Sequence, residues 1–258
     1  MADQNFSPTP QDDKPEAVSL TETSTAIRKL DNFWYHYKWP VIVTVFFAAV
    51  LVIGVVQFFT RPQYDSFITI ATHYRMNSAE YADFEALITN VLPEDFDGNG
   101  EKSINIIIYQ YYSEEEIEEA RAEYARPNEY GETDRFQINL QYNSTEYKNF
   151  NDHTITGETS VYIISPALYQ RLLENDRLMP LAELYPDGEL PEGARSDGVG
   201  INLKSTDFYR YNAAAQVIPD TAILCLHRPT VGGRSSNKTT YEHEKEFFRA
   251  IADYQVIE

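Results

Sequence analysis

Cysteine is nearly missing from this chain of 258 residues, where Cys225 stands alone. No intrachain disulfide can form, so a disulfide-stapled secreted scaffold is excluded. An exterior domain this poor in cysteine fits a bacterium better than an animal secretory pathway. Cys225 sits in the apolar run TAILCLH, where a buried packing role is expected rather than a catalytic thiol. Basic residues are scarce too: 21 Lys and Arg face 40 Asp and Glu, a net charge of -19. Nearly all of that charge falls after residue 62. Nucleic acid and anionic lipid both reward Lys and Arg, so neither is expected as a partner.

Catalytic signatures are missing as well. The sequence has no H-E-x-x-H, and Glu242-His243-Glu244 has the wrong spacing for helical zinc ligands. It has no G-x-S-x-G and no phosphate-cradling glycine loop; Gly232-Gly233-Arg234 is a bare turn. His73, His153, His227 and His243 are scattered, and structural or solvent-facing roles are expected for them. The chain is rich in tyrosine, with 19. Tyr109, Tyr111 and Tyr112 close one apolar run, and Tyr209 and Tyr211 fall in an expected loop. Packing is the default reading for them, and sugar stacking or a protein contact is the alternative.

One long hydrophobic run is present. Val41 to Phe59 reads VIVTVFFAAVLVIGVVQFF, with no charge. About 20 apolar residues in a helix match a hydrocarbon layer roughly 30 Å thick. Trp34, Tyr35, Tyr37 and Trp39 crowd one flank, where aromatic rings favour the membrane interface, and Arg61 and Pro62 follow the other. A transmembrane helix is therefore expected over 39–60, after a juxtamembrane helix over 26–38 and a disordered tail over 1–25. A cleaved signal peptide is the rival, but its apolar stretch is about 7–15 residues after a short leader. Arg28, Lys29 and Lys38 precede the run and Arg61 follows it, so the N-terminus is expected in the cytoplasm and residues 63–258 outside.

The outer part alternates between strand and helix patterns. Ser66–Tyr74 reads as a strand, and Ser78–Leu92 as a helix with Ser78 at its N-cap. SINIIIYQYY, Ser103–Tyr112, is the most continuous apolar run there, so it is expected as a central strand covered on both faces. Ser113 caps an acidic helix, and Arg135–Asn143 alternates like a strand. Ser160–Ser165 is a short strand, and Pro166–Asp176 a helix opened by its proline. GVGINLKS and Thr221–Pro229 read as further strands, and TTYEHEKEFFRAIADYQ closes the chain as a helix. The fold class expected is α/β: one three-layer domain with a mixed sheet after the transmembrane helix.

The sharpest local motif is Asp95-Phe-Asp97-Gly-Asn99-Gly-Glu101-Lys-Ser103. Oxygen donors fall at loop positions 1, 3, 5 and 9 with glycine at 6, the spacing of an EF-hand calcium loop. Asp95, Asp97, Asn99, the Glu101 carbonyl and Ser103 through water are the candidate Ca2+ ligands. The closing acid is missing, since position 12 is Ile106, and an acid from elsewhere or water must complete the shell. A plain Asp/Gly turn needs the same residues for backbone reasons, so both readings stand.

The segment SVYIISPALYQRLLENDRLMPLAELYPD resembles part of the first lobe of extracellular solute-binding proteins of the type 2 periplasmic class. WYHYKWP, a span and D-x-D-G-N-G before a strand also resemble uncharacterised single-pass membrane proteins of Gram-positive bacteria. The resemblance implies a single solute-binding-like lobe, since about 195 residues are too few for two. It implies a membrane-anchored binding or interaction module, with a membrane protein such as a permease as partner. A cell-envelope enzyme and a structural subunit of an envelope complex are the rival functions.

Overall fold

The computed structural model describes residues 25–59, 64–127 and 133–256. The expected tail lies outside those residues apart from Thr25, as do Arg61 and Pro62. The chain forms two compact units, divided at Pro62.

The first unit is one helix, α1 (Thr25–Phe59), with Pro40 inside it. The expected break between a juxtamembrane helix over 26–38 and a span over 39–60 does not occur. A proline removes one amide donor and bends a helix, but it ends one only when the flanking residues also refuse the helical state. Asn32–Gln57, 26 residues, contains an 18-residue window of mean hydropathy 2.7 with none of it buried, and is long and apolar enough to cross a membrane.

The second unit is mixed α/β. Strands β1 (Ser66–Thr72), β2 (Ile104–Gln110), β3 (Val161–Ile164), β4 (Ile201–Asn202) and β5 (Ile223–Leu226) form one sheet in the order β2-β1-β3-β5-β4. β1 runs parallel to β2 and β3, whereas β5 is antiparallel to β3 and β4. Side chains alternate between two apolar clusters. Ile68, Ile70, Ile106, Val161, Ile163 and Leu224 enter one cluster. Ala71, Tyr162, Ile164, Ile223 and Cys225 enter the other. Helices α2 (Ser78–Val91) and α8 (Lys238–Ala252) supply Phe84, Ile88, Phe247, Phe248 and Ile251 to the first. Helices α4 (Leu140–Thr156) and α5 (Pro166–Glu174) supply Phe150, Leu168, Tyr169 and Leu172 to the second. Each fully buried Phe or Leu stabilises the fold by about 1.5–3 kcal/mol.

Five expectations in this unit need correction. The centre of the sheet is β3, with all four residues fully buried, and β2 lies at an edge. Only Ile104 and Ile106 of β2 are buried and its other five residues are half-buried, so it is not covered on both faces: a continuous apolar run does not report which strand pairs beside it. Residues 133–139 are irregular and α4 begins at Leu140, so Arg135–Asn143 is not a strand. There the Asn139 side chain accepts from the Tyr142 amide and opens a helix. The N-cap of α2 is Asn77 rather than Ser78: its side chain takes the Ala79 and Glu80 amides, and Glu80 reaches back to the Asn77 amide. After the one-turn α6 (Leu181–Leu184), Tyr209 and Tyr211 lie on a short helix, α7 (Asp207–Tyr211), not in a loop, and GVGINLKS gives only the two-residue β4. The acidic helix α3 (Glu114–Tyr124) starts at its Ser113 cap as its sequence implies.

Candidate functional site

The Asp/Gly segment is the link between α2 and β2, and its own side chains hold it. Asp95 accepts from the amides of Gly98 at 2.8 Å and Gly100 at 2.6 Å. Asp97 accepts from the Asn99 amide at 2.9 Å, and Asn99 from the Glu101 amide at 2.8 Å. Gly98 and Gly100 take φ of 72° and 94°, which a side chain would strain. The amide of Gly100 is the strongest influence holding the Asp95 carboxyl below the usual carboxylate range. A further acid arrives from the start of β1. Asp65, only 2% exposed, accepts from the amides of Asp97 at 3.0 Å and Ser103 at 2.8 Å. One carboxylate oxygen from each of Asp65, Asp95 and Asp97 lies within 4.8 Å of the others. Of the five expected ligands, the structure therefore draws Asp95 and Asp97 together. It ties Ser103 to Asp65 and uses the Asn99 side chain on the loop backbone. Nothing in the sequence singles out Asp65. It stands 32 residues before Asp97 with no spacing signal to join them.

The second feature is a groove of about 530 Å³ at the other side of the same strand, walled by α2 and α4. Its lining includes Arg75, Met76, Ser78 and Tyr81 on one side, Tyr142 and Glu146 on the other, and Ile106, Ile108 and Gln110 of β2 between them. The backbone of β2 has a definite sense here. The Tyr111 amide donates to Thr72 O of β1 at 2.9 Å, whereas the Gln110 amide turns away to the Glu146 carboxylate at 3.4 Å. Backbone groups alternate in direction along a strand. The odd-numbered residues of β2 thus face β1, and Ile104, Ile106 and Ile108 point their N–H and C=O groups away from the sheet. Asn143 closes one end: its side-chain oxygen accepts from the Tyr112 amide at 2.8 Å, and its nitrogen donates to Tyr112 O at 2.9 Å.

Packing accounts for most of the remaining candidates, whereas Tyr211 is 64% exposed. Cys225 is fully buried, and burial pushes its thiol well above its ordinary range, so it is no nucleophile. His153 is buried against Thr69 and Thr159, and burial lowers its pKa. His227 is 1% exposed, and burial brings it down to about 4. His73 pairs with Glu116 at 3.0 Å, and His243 stacks on Phe96 at 4.1 Å. Tyr111 meets the Tyr147 ring at 5.2 Å and Tyr112 the Phe136 ring at 5.5 Å. No protein-family model, curated protein or solved structure matches the chain.

Proposed function

We propose that this protein is a membrane-anchored binding module: α1 holds it in a bilayer, and the domain outside engages a partner through the groove beside β2. The groove carries this reading, because it combines the apolar side chains of Met76, Tyr81, Ile106 and Ile108 with the outward-turned backbone of β2. A bilayer-spanning α1 fits a module that acts at a surface rather than in solution. The resemblance of Ser160–Asp187 to a solute-binding lobe supports a binding role and assigns no residue. The Asp65, Asp95 and Asp97 cluster is read as a calcium site that stiffens the link into β2, since calcium takes oxygen donors alone. An enzymatic role is less favoured, because the buried Cys225 and His227 are held in unreactive states.

The test is photo-crosslinking of the full chain in its own membranes, with the reactive group placed at Ser78 or Tyr142 in the groove, or at Glu189 outside it. Adducts at both groove positions and none at Glu189 are expected. Equal labelling at all three positions, or none at any, sinks the reading.

A further inference from the structure

We propose that the free edge of β2 takes up an extended, basic peptide segment of a partner protein as an added strand, laid in the groove between α2 and α4. This rests on the groove being the binding surface and adds the chemistry of what binds there.

The backbone argues first. Ile104, Ile106 and Ile108 each turn an N–H and a C=O out of the sheet, and these groups recur every two residues, about 6.6–6.8 Å apart. Only another extended backbone offers donors and acceptors at that repeat. A small ligand would meet one or two of them and leave the rest unpaired in a half-apolar setting, at a cost. The side chains argue next. Edge strands are ordinarily blunted by charge, proline, bulges or shortness. β2 runs seven residues as INIIIYQ, with no charge and no proline. It is also paired evenly with β1 along its whole length, without a bulge. Among the described residues, protection is confined to its end, where Asn143 and Glu146 occupy the backbone of Tyr112 and Gln110. The part of β2 that lines the groove and keeps its outward backbone is therefore Ile106 to Ile108.

The walls then set the pattern of the incoming chain. Alternate side chains of an added strand would point toward Met76, just before α2, and Tyr81 on α2, and toward Tyr142 on α4. Alternating apolar positions suit both walls. Charge selects among possible strands. Arg75 and Glu146 offset one another within the lining, so the preference comes from the field of a chain carrying -19. That field draws a basic segment and opposes a second copy of the same acidic domain.

The experiment uses the full chain in detergent and three end-blocked peptides of seven residues, the length of β2. One alternates Lys with Val, one carries the same residues with alternate backbone nitrogens methylated, and one alternates Glu with Val. Binding is followed by fluorescence anisotropy, and amide exchange at Ile106, Ile107 and Ile108 by NMR. The Lys–Val peptide should bind and slow exchange at Ile106 and Ile108 at least roughly tenfold. Ile107, already bonded to β1, should change little. Binding should weaken as salt rises, because the attraction is screened. Equal binding of the methylated peptide, or binding without slowed amides, overturns strand addition while leaving the groove as a binding surface. Equal binding of the Glu–Val peptide overturns the basic preference. Slowing of the same amides with protein concentration alone means that a second copy covers the edge, and it overturns the proposal. Failure of all three peptides overturns it too, and the crosslinking result then decides whether the groove reading falls with it.

Discussion

At the scale of single residues, the most consequential group is Glu244 on α8. It is 1% exposed, accepts the Ser66 hydroxyl at 2.7 Å and meets Arg234 at 3.5 Å. Burial pushes its pKa up to about 7 from 4.5, against the pull of Ser66 and Arg234. The folded state thus holds a proton that the unfolded chain releases. The stability this contributes is present below about pH 4.5 and is lost as pH rises through about 7. His153 and His227, lowered by burial, act in the opposite sense over the acid part of that window. Comparing wild type with Glu244→Gln cancels the histidines. The stability of the variant relative to wild type should rise by about 2–3 kcal/mol between pH 5 and pH 8, read from denaturant melts. A pH-independent difference would mean that Glu244 is ionised in the fold throughout.

Elements depend on residues far from them in sequence, and the link between α2 and β2 shows how. Its glycines and Asx-type hydrogen bonds make a turn on their own account, and Asp65, just before β1, then closes it from outside. Extracellular calcium modules work at dissociation constants of roughly 10⁻⁴–10⁻³ M. Calcium at about ten times such a constant stabilises a fold by about 1–2 kcal/mol through mass action. The full chain in detergent should then melt a few degrees higher in calcium than in chelator. Asp97→Asn is the variant to use, because its side-chain oxygen can still accept the Asn99 amide. Asp95→Ala would remove two loop hydrogen bonds at once and lower the melting point without calcium as well. An identical melting point with and without calcium would leave the loop as an ordinary turn.

For the whole molecule, the question is which side of the membrane carries the domain. Charge is the available signal: Arg28, Lys29 and Lys38 precede the apolar stretch and Arg61 follows it. Protease added to intact cells stripped of their wall should digest residues 63–258 and spare an N-terminal tag. The same blot shows whether tag and domain share one polypeptide, as an uncleaved anchor requires. A domain protected until lysis reverses the orientation, and a tag lost before digestion makes the helix a signal sequence.

Much of the fold was legible because its signals are local. The length and apolarity of Val41–Phe59 belong to contiguous residues, and a helix follows from them alone. Pro166 opens α5, Ser113 caps α3, and the runs around Val161–Ile164 and Ile223–Leu226 are strands as read. The acidic loop was legible as a motif for the same reason. What the sequence could not determine is adjacency. INIIIYQ reads the same whether its outer neighbour is a strand or an open groove, and only the pairing of β1 with both β2 and β3 put it at the edge. Alternation in Arg135–Asn143 gave way to a helix whose Asn143 clamps Tyr112, a contact spanning 31 residues. Asp65 joined Asp95 and Asp97 only through the folding of β1 beside β2. Composition and periodicity decided the elements, because those are properties of neighbours along the chain. Tertiary structure decided the sheet order, the groove and the third carboxylate, because each depends on which distant backbone a strand pairs with.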